Sequence, residues 1–311
     1  MKTIERGTVV VLTHNRKGRL QQTLSALMRA TERWSIIVVD NGSTDGTAKL
    51  VAQEFPSVML IRCRRNLGAA ARNIAVAYAH TPYVAFCDED TFWLPGALQR
   101  AARILDEHPN IGGASGCIVE AGAGRVDPVC LEMASSPLDR EDLPGPQVLG
   151  LKAGACIVRT RAFYEAGGFW PPFFIGGEEA LLALDMADRG WRLVYLEDVL
   201  AQRVVSLADG AASQQRREWR NAIWVAWMRL PFRFAWKVTL EQLRSAARDR
   251  QLRSVLMLVM AGFARVLKKR RVVSPRVAAM WKHVYVDRSA MSAEGETAAQ
   301  MQQRSLHGLN Q

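Results

Sequence analysis

The sequence predicts an α/β protein with a mostly parallel central sheet flanked by helices, followed by a basic helical C-terminal extension. Short apolar runs alternate with helical patterns over the first 90 residues, which is typical of a parallel sheet covered on both faces. Beyond about residue 205 the pattern becomes helical and strongly basic. With 311 residues, 49% of them hydrophobic, the chain is long enough to bury a large core.

The first half shows a repeated strand–turn–helix pattern. Strands are predicted at 8–13, 34–39, 58–62 and 83–87, and helices at 18–30, 45–55 and 66–79. Asp45 is placed to cap the second of these helices. We expect residues 1–90 to form the half of the sheet domain that binds a ligand at the carboxyl ends of its strands.

A second section completes the predicted sheet domain at about residue 205. Helices are predicted at 95–107, 161–168 and 178–189, strands at 112–119, 149–159 and 191–196, and a loop with edge strands at 121–146. Basic helices are then predicted at 214–230, 232–250 and 252–271. We therefore divide the chain into a domain at 1–205 with halves 1–90 and 91–205, an extension at 206–288, and a disordered tail at 289–311.

Charge is concentrated in the C-terminal part of the chain. Residues 1–200 contain 21 Lys and Arg against 23 Asp and Glu, whereas residues 201–311 contain 20 against 7. A basic helical region favours an anionic partner, either anionic lipid, nucleic acid or a phosphorylated substrate. Its alternation of charge with Trp, Leu and Met fits a membrane surface at least as well as nucleic acid.

Cysteine usage and hydropathy predict a cytoplasmic protein. Five scattered cysteines without Cys-x-x-Cys spacing favour a reducing compartment and argue against a zinc site. The N-terminus lacks the apolar segment of a signal peptide, and the longest apolar run, 255–264, is about half a bilayer span. We expect no transmembrane helix, and peripheral contact at the inner face of the membrane as the alternative to a purely cytoplasmic location.

Three consecutive acids, Asp88-Glu89-Asp90, end the strand at 83–87. Adjacent carboxylates resist joint ionisation unless a cation lies among them, and their hard oxygen ligands suit Mg²⁺ or Mn²⁺ bound with substrate phosphates. An acidic loop that caps the following helix explains the same residues. Both interpretations remain open on this motif alone.

A turn-rich run, Asp40 to Thr47, follows the second strand. Its backbone N–H groups and hydroxyls near a helix start suit an anion or a ribose, but a capped turn explains the run equally well. No Gly-x-Gly-x-x-Gly follows the first strand, which argues against a nicotinamide-binding fold.

Two further features carry alternative interpretations. Arg72, on an Ala-rich helix, is either the partner of a carboxylate or diphosphate, or an exposed solubilising residue. Glu178 and Glu179 open a helix, where acids are favoured by the helix dipole, yet a carboxylate beside an aromatic loop can also serve as a general base. The aromatics Phe169 and Trp170 in that loop are either an acceptor platform or core.

Taken together, these segments resemble the family 2 glycosyltransferases, inverting enzymes of the GT-A fold for nucleotide-diphospho-sugar transfer. The matching stretches, in order, are 9–16, 37–47, 66–73, 86–90, 167–169 and 177–185. The resemblance covers about residues 7–205 and implies a hexosyl- or deoxyhexosyltransferase. The implied donor-binding residues are Thr13, Asn15, Arg16, Asp40, Asn66, Gly68, Arg72 and Asp88.

The resemblance also implies the metal, catalytic and acceptor residues. Asp88 and Asp90 stand at the outer positions of the family's Asp-x-Asp motif, with Asp90 as the direct ligand of Mg²⁺ or Mn²⁺. Glu179 stands at the position of the catalytic base, where the family usually has Asp in a Glu-Asp pair. Because the pair here is Glu-Glu, Glu178 is the alternative base. Phe169 and Trp170 are the candidate acceptor residues.

One departure from the family pattern concerns the metal. Many relatives carry a histidine near the position of Val204-Val205-Ser206, and this chain has none there. The expected function is metal-dependent, non-processive transfer of a sugar from a nucleotide-diphosphate sugar to a glycan, lipid-linked or small-molecule acceptor in cell-surface glycan or glycolipid synthesis. A catalytically decayed nucleotide- or membrane-binding relative is the alternative. A processive synthase is disfavoured because Gln215 to Trp219 lacks the Arg of Gln-x-x-Arg-Trp.

Overall fold

The structure, a computed structural model, describes residues 6–30, 34–204 and 211–287. Within these residues eight strands form one sheet. The strands are β1 (Gly7–Thr13), β2 (Trp34–Asp40), β3 (Met59–Arg62), β4 (Tyr83–Asp88), β5 (Thr91–Trp93), β6 (Ile111–Glu120), β7 (Ala155–Arg159) and β8 (Arg192–Arg203). The sheet order is β3-β2-β1-β4-β7-β6-β8-β5.

Helices cover the sheet and continue beyond it. They are α1 (Lys17–Ala30), α2 (Thr47–Glu54), α3 (Arg72–Tyr78), α4 (Ala97–Glu107), α5 (Pro128–Ala134), α6 (Thr160–Ala166), α7 (Glu178–Asp188), α8 (Ala211–Arg229), α9 (Phe232–Arg248), α10 (Leu252–Lys268) and α11 (Pro275–Lys282). Short 3-10 turns lie at Gly68–Ala71 and Pro171–Phe173, and a π-helical turn at His283–Asp287 follows α11. The predicted disordered tail, 289–311, lies outside the described residues.

The register of the parallel strands brings polar residues to one edge of the sheet. Strands β3, β2, β1 and β4 run parallel, with Thr13 opposite Asp40 and Leu12 opposite Asp88. Strand β7 runs antiparallel to β4. Strands β6 and β8 run parallel to each other, and β5 runs antiparallel to β8. The predicted mostly parallel sheet is therefore confirmed, and the carboxyl ends of β1, β2 and β4 meet where ligands bind in such sheets.

Two sequence predictions for the second section are wrong. Segment 121–146 contains the helix α5 rather than edge strands: Asp127 Oδ1 accepts a hydrogen bond from Val129 N, and Pro128 occupies the first helical position, where its missing N–H costs nothing. The strand predicted at 149–159 begins only at Ala155, because a turn precedes it in which Ala155 N donates to Lys152 O.

The buried side chains form two cores. The first lies between the sheet and its covering helices and includes the continuous apolar runs of β1, β2 and β4. The second joins Phe173, Leu181 and Leu184, which precede residue 205, to residues of α8, α9, α10 and α11. Of the helices described, none has both the length and the apolar character needed to cross a membrane.

Candidate donor and catalytic site

A cleft of about 760 Å³ opens at the carboxyl ends of β1 and β4. It brings together residues that are far apart in the sequence. The predicted site residues that line it are Thr13, Arg16, Asn66, Gly68, Arg72, Asp88, Asp90, Glu178 and Glu179. The predicted residues Asn15, Asp40, Phe169 and Trp170 do not line it.

Asp40 is buried, with 1% of its surface exposed, and it closes the turn that follows β2. Its Oδ1 accepts a hydrogen bond from Ser43 N at 2.9 Å, and its Oδ2 lies 3.5 Å from Arg62 Nε. The turn also needs Gly42, whose φ is +79° and whose Cβ would lie 2.8 Å from the backbone of Arg65. The described contacts of Asp40 are those of a turn-forming residue, and its contact with a base or ribose stays a prediction.

Asn15 holds the same turn from the side of β1. Its backbone N donates to Ser43 Oγ at 2.9 Å, and its Oδ1 accepts from Thr44 N at 2.8 Å. The residue adopts a left-handed conformation with φ +52°, which Asn tolerates better than most residues. Asn15 therefore shapes the rim next to the cleft, although it does not line the cleft.

Asn41, which the sequence analysis did not single out, links the end of β2 to the turn before α3. Its Oδ1 accepts from Leu67 N at 2.8 Å, and its Nδ2 donates to Asn66 Oδ1 at 2.9 Å and to Gly68 O at 3.1 Å. Asn66 Oδ1 also accepts from Gly68 N at 2.9 Å. Two asparagines thus fix the cleft wall. The only signal in the sequence was the position of Asn41 directly after a predicted strand.

Arg72 and Asp88 form an ion pair across the cleft floor. The Arg72 side chain is 6% exposed and that of Asp88 is 40% exposed. The guanidinium is therefore buried, and the carboxylate paired with it is the part that faces the cleft. The structure therefore favours the pairing interpretation of Arg72. Gly154 borders Asp88 so closely that a Cβ there would lie 2.8 Å from Asp88 Oδ2.

The two acids that follow β4, Glu89 and Asp90, have raised pKa values. Burial and the neighbouring Asp88 raise the pKa of Glu89 to about 7 and also raise the pKa of Asp90. Arg16 Nε lies 3.9 Å from Glu89, and Thr91 donates to Asp90 Oδ1 at 3.0 Å. Repulsion of this kind is relieved when a cation binds among the carboxylates.

The donor set fits a divalent cation that is shared with a substrate. Among the residues that the structure describes, no group of three or more His, Cys, Asp or Glu is arranged to hold a metal ion. Asp88 and Asp90 do line one cleft, and two carboxylates completed by phosphate oxygens are a usual environment for Mg²⁺. The residues therefore fit an ion that arrives with a diphosphate rather than a preformed protein cage.

Glu178 and Glu179 line the same cleft, at the first turn of α7. Burial and the adjacent Glu179 raise the pKa of Glu178 to about 8, and burial also raises the pKa of Glu179. Glu178 is 5% exposed and its Oε2 is buried without a hydrogen-bond partner. Glu179 is more exposed, and its Oε1 accepts from Ala153 N at 3.0 Å, so its orientation is fixed.

Two cations in the cleft were missed by the sequence analysis. Lys152 comes from the turn before β7, and Arg217 comes from α8, more than 120 residues after Asp88. Arg217 also lies over the ring of Phe174, with 5.2 Å from its Cζ to the ring centroid. No local pattern marks either residue, because each reaches the site only through tertiary packing.

The aromatic loop after α6 belongs largely to the core. Phe169 is 1% exposed, and its ring centroid lies 5.4 Å from that of Phe86 and 5.3 Å from that of Phe163. The structure therefore favours the core interpretation of Phe169, because a buried ring between two others offers no face to a substrate. Trp170 packs on Phe173 and Trp224 outside the cleft lining.

Comparison with known proteins decides the family. The family model described as glycosyl transferase family 2 matches residues 8–166, just over half of the chain. The chain belongs to glycosyl transferase family 2. This glycosyltransferase is 29% identical over 269 residues to the N-acetylglucosaminyl-diphospho-decaprenol L-rhamnosyltransferase of Mycobacterium tuberculosis, a match that covers 73% of this chain and 87% of the relative.

Solved structures support the fold of this family 2 glycosyltransferase. TarS 1–349 of S. aureus in complex with UDP-GlcNAc has a TM-score of 0.62 at 18% identity, and the match covers 88% of this chain and 83% of that one. The mannosyltransferase PcManGT of Pyrobaculum calidifontis, in complex with GDP-Man and Mn²⁺, has a TM-score of 0.56 at 19% identity and coverages of 91% and 86%. The chain therefore has the GT-A fold.

Proposed function

We propose that this glycosyltransferase moves a sugar from a nucleotide-diphosphate donor to an acceptor hydroxyl by a single, inverting displacement. One observation carries the proposal: the turn at 152–154 borders both halves of the site. Ala153 N donates to Glu179 Oε1, while Gly154 packs against Asp88 Oδ2. A carboxylate suited to the donor and a carboxylate suited to the acceptor thus flank a single turn in one cleft.

In this mechanism Glu179 acts as the general base. It takes the proton of the acceptor hydroxyl while that oxygen attacks the anomeric carbon, and the bond from this carbon to the diphosphate oxygen breaks on the opposite face. Burial raises the pKa of Glu179, which makes its carboxylate a stronger base than that of an exposed glutamate. No covalent intermediate with the enzyme is required.

The departing nucleoside diphosphate meets positive charge in the cleft. Arg16, Lys152 and Arg217 all line it, and fixed cations near a developing anion lower the barrier to its departure. A Mg²⁺ or Mn²⁺ ion, held by Asp90 and Asp88 together with the diphosphate, would supply further charge stabilisation. Metal dependence is supported by the fit of the two carboxylates and by the Mn²⁺ in the complex of the P. calidifontis mannosyltransferase.

We propose a lipid-linked acceptor in cell-surface glycan synthesis. Support comes from the M. tuberculosis relative, whose name gives a diphospho-decaprenol-linked N-acetylglucosamine as acceptor and L-rhamnose as the transferred sugar. An acceptor of this kind resides in a membrane, so the enzyme must work at a membrane surface.

The outer faces of α9 and α10 are suited to peripheral contact with an anionic membrane. Phe232, Trp236 and Leu240 recur at four-residue spacing on α9 and are 60%, 55% and 47% exposed. Met257 and Met260 of α10 are 58% and 67% exposed. Exposed apolar stripes with basic neighbours are typical of helices that lie in the membrane interface.

Helices α9 and α10 both pack on Trp227 of α8 and carry little negative charge. Trp227 of α8 has its ring 5.3 Å from Trp236 of α9 and 5.3 Å from Phe263 of α10. Helix α10 contains no acidic residue, and α9 contains only Glu241. We propose that this face, defined by the exposed apolar residues of α9 and α10, rests on anionic lipid at the inner face of the membrane.

Donor binding and transfer test the function together. A thermal-shift panel of UDP-, GDP- and dTDP-linked sugars, with and without Mn²⁺, is expected to raise the Tm for one nucleotide class, because a ligand of the native state stabilises it by mass action. Transfer from that donor to a short-chain polyprenyl-diphosphate N-acetylglucosamine is then measured. A donor shift without transfer to any glycan or lipid-linked acceptor would favour the decayed nucleotide-binding alternative, and no shift would contradict the proposal.

A further inference from the structure

Helix α8 supplies part of the active-site wall although it follows the sheet domain in the chain. Arg217 and Glu218 line the cleft. The helix approaches the start of α7 so closely that a Cβ on Gly177 would lie 2.9 Å from Asn221 Cβ, and one on Gly176 would lie 3.1 Å from Glu218 Cγ. The two glycines therefore serve the contact with α8 as well as the turn itself.

The segment that leads into Glu178 contains a strained residue, Phe174, followed by two glycines with positive φ. Phe174, Gly176 and Gly177 all have positive φ, at +69°, +84° and +81°. Phe174, with φ +69° and ψ −70°, is the central residue of a γ-turn in which Ile175 N donates to Phe173 O at 3.0 Å. This turn is rare and strained, and it persists only where its surroundings fix it. This segment directly precedes the two carboxylates, so any change in its path moves them.

Asn221 fixes this segment from the side of α8. Its side chain is fully buried, and its Nδ2 lies 3.1 Å from Phe173 O, 2.9 Å from Ile175 O and within hydrogen-bond distance of Gly176 O. One amide group thus donates towards three carbonyls of a four-residue stretch. Arg220 Nε donates to Asn221 Oδ1 at 2.8 Å, which orients the amide with its NH₂ group towards the loop.

The opposite side of the segment is also fixed. Phe174 O accepts a hydrogen bond from Ala69 N at 2.6 Å. Gly68 permits this approach, since a Cβ at that position would lie 2.0 Å from Phe174 O. Hydrogen bonds from Ala69, on the donor side of the cleft, and from Asn221 therefore hold the segment on two sides. Of these two residues, Asn221 is the one that contacts Gly176, the neighbour of Gly177.

We propose that Asn221 is a positioning residue that sets Glu178 and Glu179 relative to the donor site. This inference rests on the proposed function, in which Glu179 is the base. The chemistry requires a neutral double donor. A carboxylate would face three carbonyl oxygens and add negative charge beside two acids, and an aliphatic side chain would remove the donor that Asn221 supplies to Ile175 O and Gly176 O. A residue of the C-terminal helical region thereby controls the geometry of catalysis.

The test compares Asn221→Ala with Ile223→Val, a buried control on the same helix that loses one methyl group and no hydrogen bond. Transfer to short-chain polyprenyl-diphosphate N-acetylglucosamine is measured with the donor identified for the wild type. A displacement of a catalytic group by about 1 Å costs up to about 100-fold in rate. If the loss of Asn221 shifts the two glutamates, kcat of Asn221→Ala is expected to fall by about 10- to 100-fold. Its donor KM should stay within about twofold, since the donor carboxylates are untouched.

The control separates positioning from folding. Ile223→Val is expected to lower the Tm and leave kcat unchanged, whereas Asn221→Ala lowers kcat of the folded enzyme. Should Asn221→Ala not fold, Asn221→Ser, which keeps one hydroxyl donor, is expected to show the same split at a smaller size. A kcat equal to that of the wild type in the folded variant would overturn the inference, whereas a wild type without transfer would contradict the proposed function instead.

Discussion

Arg72 and Asp88 form the ion pair on which the donor side of the cleft is built. Arg72 is buried on α3, and Asp88 ends β4 with part of its carboxylate exposed to the cleft. A buried guanidinium that lost this partner would be left uncompensated, which is more costly than the pair itself is favourable. Asp88 thus supports the fold in addition to any contact with a donor, whereas Asp90 lacks such a cationic partner among the ion pairs of the described residues.

Asp88→Asn and Asp90→Asn are therefore expected to differ. Asp88→Asn should cost about 1–2 kcal/mol of unfolding free energy, discounted because the carboxylate is partly exposed, and lower the Tm by about 2–4 °C per kcal/mol. Asp90→Asn should leave the Tm of the free protein nearly unchanged and abolish the Mn²⁺-dependent part of donor binding. Thermal melts with and without donor measure both effects. Equal Tm losses in the two variants would contradict the structural role of the Arg72 pair.

Glu179→Gln is expected to bind the donor as the wild type does and to lose transfer. The substitution removes the base but keeps the hydrogen bond that Ala153 N donates to the side-chain oxygen. Loss of a general base usually costs about 10²- to 10⁴-fold in kcat. The control is Glu178→Gln under the same conditions. If Glu178→Gln shows the larger loss, the base is Glu178 and the assignment of Glu179 is wrong.

The stability of the protein should respond to pH through Glu178. Burial and Glu179 raise its pKa to about 8 in the native state, so the native state holds a proton that the unfolded chain releases from about pH 4.5 upwards. This contribution to stability is complete below about pH 4.5 and is lost as pH rises through about 8.

Glu178→Gln, which stays neutral, is expected to become more stable than the wild type by roughly 1–3 kcal/mol at pH 9, with little difference at pH 4.5. Melting temperatures across that range measure the effect. The same series on Glu132→Gln, an exposed acid on α5, serves as the control for removing a carboxylate. Parallel curves for Glu178→Gln and the wild type would show that Glu178 titrates normally.

Gly154→Ala is expected to weaken donor binding about tenfold, because the new Cβ would lie 2.8 Å from Asp88 Oδ2 and displace the carboxylate. The backbone of Gly154 is outside the positive-φ region, so alanine is tolerated conformationally. Gly150→Ala is the matched control, since its Cβ would meet no atom closer than 3.8 Å. Donor dissociation constants by calorimetry compare the two, and equal affinities would contradict the close packing at Asp88.

The double variant Trp236→Ser/Met260→Ser is expected to lose most of its sedimentation with vesicles that contain anionic lipid. Each basic residue near the surface contributes about 1 kcal/mol, so binding should also fall with salt. Leu131→Ser removes an apolar side chain that is 57% exposed on α5 and should bind as the wild type does. Unchanged sedimentation of the double variant, or binding independent of anionic lipid, would contradict membrane contact through α9 and α10.

Local pattern in the sequence predicts the strands and the residues at their ends. Thr13, Asp40 and Asp88 each stand at or next to the end of a buried apolar run, and parallel strands must bring such ends to one edge. The start of α2 is predicted only approximately: its N-cap is Gly46 rather than Asp45, although Asp45 Oδ1 does accept from Thr47 N at the first helical residue. These features depend on contacts within a few residues or between neighbouring strands.

The features that were missed depend on packing between distant segments. Arg217 and Asn221 reach the site because α8 docks against the start of α7, and nothing in their own helix marks them. The sequence left Phe169 open between an acceptor platform and core, because an aromatic loop beside an acid looks the same whether its rings face a substrate or the core. Which face is buried is decided by Phe86 and Phe163, two residues from separate elements.

The sharing of α7 between the two cores has a consequence for building chimeras from related enzymes. Leu182 and Met186 of α7 pack into the core under the sheet, while Leu181 and Leu184 pack with α8 to α11. A crossover placed after β8 would separate these surfaces from the partners with which they are matched. A chimera made to exchange acceptor preference between relatives should therefore take the whole stretch from the aromatic loop through α11 from one parent. The turn at Gly68 should come from that same parent.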